Sequence, residues 1–200
     1  MPKTFTEKEK KLIKNILIQE GRELFSKYGL RKTSITELTK AAGIAQGTFY
    51  NFFDSKEELY FEIIELEQFK SEQFLENIVK SSHSSKESLR KIIKGIFELF
   101  EINPIIHRLY ESRDYELMVR KLPPEKLENH NKDDAVRVLN FIMDMQQGNE
   151  LIDARPEVIA GLLRAITMLY FHQDEIGRDI YPEVINLLAE IVADGLVKEI

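Results

Sequence analysis

The chain has 200 residues, 43% of them hydrophobic and 31% charged, and contains no cysteine. That is enough apolar material for one large domain or two small ones, and the missing cysteines exclude disulfides and thiolate metal sites. The net charge of −6 hides a division. Residues 1–56 carry 11 Lys/Arg against 6 Asp/Glu and the remaining 144 carry 17 against 28, so a basic head suited to a polyanion precedes an acidic body.

Apolar residues recur at three- and four-residue spacings and strand-like alternation is missing, so the chain reads as all-α. A first helix is expected from about Glu7 to Tyr28, with Ile13, Ile16, Leu17, Leu24, Phe25 and Tyr28 forming one stripe and Gly29 at its end. Ser34 and Glu37 form a capping box that opens a second helix, with Ile35, Leu38, Ala41 and Ala42 facing inward. Gly43 makes a turn. A third helix covers about Gln46 to Asn51 and is anchored by Phe49, Phe52 and Phe53. A second capping box, Ser55 and Glu58, opens a long fourth helix to about Val79.

After the polar run SSHSSK at 81–86, helices are expected at Lys86–Glu101, Ile105–Lys121, Glu125–Gln147 and Pro156–Asp174, with a last one from Pro182 onward. Asn103-Pro104, Pro123-Pro124, Gly148 and Pro156 punctuate them. No apolar run approaches the roughly 18 residues of a membrane span. The N-terminus MPKTFTEKEKKLIKN lacks the apolar stretch of a secretory signal, so a cytoplasmic location is expected.

The segment Ser34 to Lys56 carries the chemistry. Its third helix presents small and polar side chains, which suit the DNA major groove better than a core. A glycine turn between two short helices is the helix-turn-helix arrangement, whose second helix enters that groove. Gln46 and Thr48 can reach base edges, and Gln can pair with adenine in bidentate fashion. Gly47 lets the backbone approach, Tyr50 can meet a phosphate or a thymine methyl, and Lys56 carries a charge suited to a phosphate.

The leading helix ending LFSKYG, then TSITELTKAAGIAQGTFYNFFDSKEEL, closely resembles the tetracycline-repressor-like (TetR) family of transcriptional regulators over about residues 10–60. The resemblance implies base contacts at Gln46, Gly47 and Thr48 and phosphate contacts at Ser34, Thr36, Tyr50, Asn51 and Lys56. It also implies an N-terminal helix-turn-helix domain, residues 1–55 with the motif at about 34–53, joined by the long fourth helix to a helical effector-binding and dimerisation domain, residues 56–200. Three positions depart from the family pattern: Ala45 in place of a capping residue, Thr39 in place of alanine, and Gly21 within the first helix.

In the body, the apolar stripes of the last two helices are wider than one neighbour needs, so a four-helix dimer bundle is expected, with Leu162, Ile166, Leu169, Tyr170, Leu188, Ile191 and Val192 in the interface. Phe97, Phe100, Tyr110, Tyr115, Met118, Phe141, Met145, Met168 and Phe171 are candidate lining for a small-molecule effector. The acidic residues Glu101, Glu111, Asp114 and Glu116 suit a cationic ligand or a solvated face. His83, His107, His130 and His172 have no metal-ligand spacing, so no metal, cofactor or catalytic residue is expected.

The sequence therefore predicts a non-enzymatic, ligand-responsive regulator, a dimer on a palindromic operator in double-stranded DNA, acting as a repressor released by a lipophilic effector and making no membrane contact. The alternative is an all-helical ligand carrier or enzyme with a degenerate head.

Overall fold

The computed structural model describes residues 5–111 and 113–198, except the side chains of 129–135. Its regular structure is helical, apart from one isolated bridge between Leu151 and Val197. The helices are α1 (Glu7–Lys32), α2 (Ile35–Ala41), α3 (Gln46–Phe49), α4 (Lys56–Lys80), α5 (Ser85–Ile102), α6 (Pro104–Glu111), α7 (Asp114–Val119), α8 (Pro124–Gln147), α9 (Pro156–Met168), α10 (Gln173–Ile176) and α11 (Tyr181–Leu196), with a tight 3-10 turn, Leu169–His172, between α9 and α10. None of the described helices is long and apolar enough to cross a membrane.

Two expected helices are broken. The span 105–121 is α6 and α7, because α7 restarts at Asp114, whose buried carboxylate accepts the Leu30 N–H at 3.0 Å. The span 156–174 tightens at 169–172, where the adjacent rings of Tyr170 and Phe171 both pack on Phe100, with centroids 4.8 and 5.2 Å away.

The chain folds into two compact units. The first comprises Met1–Phe69 and Asn103–Leu127, the second Lys70–Ile102 and Glu128–Ile200. The first is thus wider than the expected head. Its core joins Leu17 and Phe25 of α1, Leu38 of α2, Phe49, Phe53, and Leu59, Tyr60, Ile63 and Ile64 of α4 to Ile105, Met118, Leu122 and Leu127. The helices α6 and α7, assigned to the body from sequence, pack on α1. Gly21 has a role here, since a Cβ at that position would stand 3.0 Å from Ile63 and 3.1 Å from Leu59. The residue that breaks helix propensity also lets α1 and α4 meet closely.

In the second unit α5 packs on α11, and Ile92, Ile93, Phe97 and Phe100 of α5 and Ile185, Ala189 and Val192 of α11 are all buried in the core. Arg90 pairs with Glu190 at 2.8 Å and Lys86 with Asp194 at 2.5 Å along the same seam.

Candidate nucleic-acid interface

The start of α2 forms from local chemistry. The Ser34 hydroxyl accepts the Glu37 N–H at 3.2 Å, and the Glu37 carboxylate takes the Ser34 N–H at 2.8 Å and its hydroxyl proton at 2.7 Å. These bonds, with Lys56 nearby, hold the Glu37 carboxyl below its usual range. Thr39, buried where alanine was expected, satisfies its hydroxyl on the Ile35 carbonyl at 2.9 Å. Ala42 is half-buried but Ala41 is exposed, so the inward face of α2 is Leu38 and Thr39 rather than both alanines.

Gly43 turns the chain at φ 68°, where a side chain would be strained. Its N–H reaches the Lys40 carbonyl at 3.2 Å, and the Ile44 N–H reaches that of Thr39 at 2.9 Å. Helix α3 then begins after Ala45, which supplies no side-chain cap. A single fully buried residue, Phe49, fixes it from below, with its ring 5.8 Å from Phe53 and edge-on to Tyr50 at 5.6 Å. Anchoring through Phe49 leaves Gln46, Gly47, Tyr50 and Asn51 exposed and Thr48 half-buried. The Thr36 hydroxyl donates to Gln46 Oε1 at 3.4 Å, so the two helices meet on this polar face.

Two of the expected contact residues are occupied inside the protein. Ser34 serves its own capping box, and the Lys56 ammonium lies on the carbonyls of Leu30, Arg31 and Thr33. The end of α1 is held by further side chains distant in sequence. Arg108 donates to the Ser26 carbonyl at 2.7 Å and that of Lys27 at 3.1 Å, and Asp114 accepts from Leu30. Higher on α1, Arg22 pairs with the buried Glu67 at 2.9 Å. Glu67 also accepts from Asn103 at 2.7 Å, and Asn103 caps α6. Sequence reading missed Arg22, Glu67, Asn103 and Arg108, and it gave Asp114 to a cationic ligand or a solvated face. No local pattern marks such partners.

Residues 17–63 match the family model for bacterial regulatory proteins, tetR family. The chain is 31% identical over 98 residues to the HTH-type transcriptional repressor KstR2 of Rhodococcus jostii, covering 48% of this chain and 47% of that protein. Over residues 17–63 the chain therefore carries a TetR-family N-terminal domain. It is also 29% identical over 119 residues to the fatty acid metabolism regulator protein of Bacillus subtilis, 57% of this chain and 60% of that one. The chain spans about half the length of the curated relatives it matches. A solved TetR-family transcriptional regulator from Pectobacterium atrosepticum shares the fold with a TM-score of 0.67, at 20% identity over 98% of this chain and 100% of that one.

The TetR-family match lies within the first unit, where Tyr110, Tyr115 and Met118, expected to line an effector pocket, also fall. Met118 is part of that unit's core, and Tyr110 and Tyr115 are exposed. In the second unit Phe97, Phe100 and Phe171 join Tyr170 and Tyr181 in one ring-on-ring cluster. Burial among these rings pushes the Tyr181 phenol up to about 12. Phe141 and Met145 line a separate open cleft of about 390 Å³ with Ser82, Ser85, Ser88 and Glu150, and Met168 is exposed. The nine candidates are therefore dispersed. Of the expected interface, Ile166, Tyr170 and Val192 are buried in the second unit's own core, Leu169 and Leu188 are half-buried, and Leu162 and Ile191 are exposed. Exposed apolar side chains of the second unit include Val158 and Leu162 on α9 and Leu187 and Ile191 on α11, the last two 62% and 59% exposed. Among the described residues no three His, Asp or Glu side chains converge as metal ligands.

Proposed function

We propose that this protein is a cytoplasmic transcriptional repressor of the TetR family that reads double-stranded DNA through α3. The observation that carries this reading is the polar face of Thr36, Gln46, Gly47, Thr48, Tyr50 and Asn51, held out by the buried Phe49. In this reading Gln46, Gly47 and Thr48 meet base edges, and Thr36, Tyr50 and Asn51 meet phosphates. Ser34 and Lys56 act from behind.

One such face reads only a half-site, so the repressor works as a two-fold dimer on a palindrome with half-sites about 34–36 Å apart. The exposed apolar side chains of Val158 and Leu162 on α9 and of Leu187 and Ile191 on α11 support the pairing. Release by a lipophilic effector is supported by the names of two relatives, one a fatty acid metabolism regulator and the other, from Mycobacterium tuberculosis, a ketosteroid transcriptional regulator. The aromatic cluster around Phe100 and Tyr170 is the surrounding we assign to the effector, which then opposes DNA through a coupling free energy.

The test is a gel shift on the DNA upstream of the protein's own gene across a salt series. Binding that weakens steeply with salt and is retained over random DNA is expected. Failure to bind any DNA at low salt sinks the reading, and equal affinity for random DNA replaces it with a non-specific binder.

A further inference from the structure

The Lys56 ammonium lies among three backbone carbonyls, those of Leu30 at 2.7 Å, Thr33 at 2.7 Å and Arg31 at 3.4 Å. An ammonium has three N–H donors and no acceptor, so these oxygens take all three. They belong to the last turn of α1 and the link to α2, where a helix leaves its final carbonyls without internal partners and where a cation is favoured. Leu30 is buried and gripped on both sides, its N–H by Asp114 and its C=O by Lys56.

The Thr33 carbonyl belongs to the peptide unit whose N–H is that of Ser34. That N–H donates to the Glu37 carboxylate at 2.8 Å. One rigid peptide plane is therefore held between a cation on α4 and an anion on α2, and its tilt sets where α2 begins. Helix α2 carries Thr36, which meets Gln46 of α3.

We propose that Lys56 is a positioning residue: its ammonium fixes the peptide plane that starts α2, and with it the polar face of α2 and α3, instead of binding a phosphate. The consequence for DNA rests on the reading given under Proposed function.

Two variants separate the roles. Lys56→Arg keeps the charge and would serve a phosphate as well as lysine does. A planar fork cannot reproduce three bonds converging on one nitrogen. Lys56→Met keeps the stem and removes the charge. With both variants shown folded by circular dichroism at the assay temperature, DNA affinity should fall at least about tenfold, the factor that even one of the three charge-assisted hydrogen bonds carries. The slope of log affinity against log salt should stay at the wild-type value in both. Wild-type affinity in Lys56→Arg, together with a slope shallower by about 0.9 in Lys56→Met, identifies a phosphate ligand and overturns the proposal. Lower melting temperatures with wild-type affinity in both also overturn it, since they reduce Lys56 to a stabilising contact.

A second measurement does without DNA. Amide exchange at Ser34 and Glu37 should speed up at least tenfold in Lys56→Met, and unchanged exchange overturns the proposal even if the repressor reading stands. If the wild type binds no DNA, the repressor reading fails and the exchange result alone decides the role of Lys56.

Discussion

Replacing Gly29 by alanine tests how the end of α1 is held. At φ 78° and ψ 168° the backbone lies where glycine is nearly alone, and an L-residue costs of order 1–3 kcal/mol. A Cβ built there would stand 3.1 Å from Asp114 Oδ2 and 3.3 Å from an Arg108 guanidinium nitrogen. It therefore also presses on the carboxylate that accepts the Leu30 N–H, a charged hydrogen bond worth about 1.5–3 kcal/mol, of which a displacement of a few tenths of an ångström removes only part. The two effects together give about 2–4 kcal/mol of destabilisation. For a protein of this size that lowers the melting temperature by about 5–15 °C. Thermal unfolding followed by circular dichroism reads the total, and hydrogen exchange at the Leu30 amide reads the Asp114 share. A melting temperature within about 1 °C of wild type would refute the assignment of strain to this backbone. A large drop with Leu30 exchange unchanged would refute the part given to Asp114.

Gly47→Ala makes the opposite case, because nothing lies within 4 Å of the added Cβ. Helix propensity gains about 0.5–1 kcal/mol, so the melting temperature should hold or rise while DNA affinity measured by anisotropy falls; unchanged affinity removes Gly47 from the interface. Gln46→Ala should leave stability alone and relax base preference at one operator position by about 1–3 kcal/mol, and an unaltered preference in a binding-site selection would take Gln46 off the bases. The double variant Leu187→Glu, Ile191→Glu should stay folded, since both side chains are exposed, and should convert a dimer to a monomer in light scattering; a mass still equal to two chains would displace the interface elsewhere. Acid should loosen the first unit. For Glu58 burial raises the carboxyl, but the Lys126 ammonium and the Asp54 N–H outweigh it, and the Ser34 bonds lower Glu37, so both fold with values below the ordinary 4.5. Their contribution is complete above pH 4.5 and is lost as pH falls through the depressed values. Glu37→Gln with Glu58→Gln should flatten the stability profile below that pH, and a profile as steep as wild type would exclude these two groups as its source.

The helix-turn-helix was legible because every signal in it is short in range. Ser34 meets Glu37 three residues away, Gly43 turns one residue at positive φ, and Ala45 leaves α3 uncapped as its side chain dictates. Phe49 and Phe53 were legible as anchors because α3 has little else that is apolar. The body was harder to read. A wide apolar stripe says that a helix is buried on several sides but not by what, so Ile166 and Val192 looked like interface and are core, while Leu187 stands in solvent. The aromatic and Met residues singled out for a ligand share a composition but not a neighbourhood. Met118 packs among the residues of the first unit and Phe100 among those of the second.

What the sequence determined by itself is the helical class and the short polar helix aimed outward, which rest on periodicity and on partners a turn apart, and the TetR-family likeness of residues 17–63, which rests on the order of residues there. Tertiary structure decided the rest. It moved residues 103–127 into the first unit, turned Asp114 into a cap for Leu30 across 84 residues, and drew the Lys56 ammonium 26 residues back along the chain onto the same backbone. A buried carboxylate or ammonium must find a partner wherever packing delivers one. That partner is chosen by which helices cross, and no local pattern in the chain records the crossing.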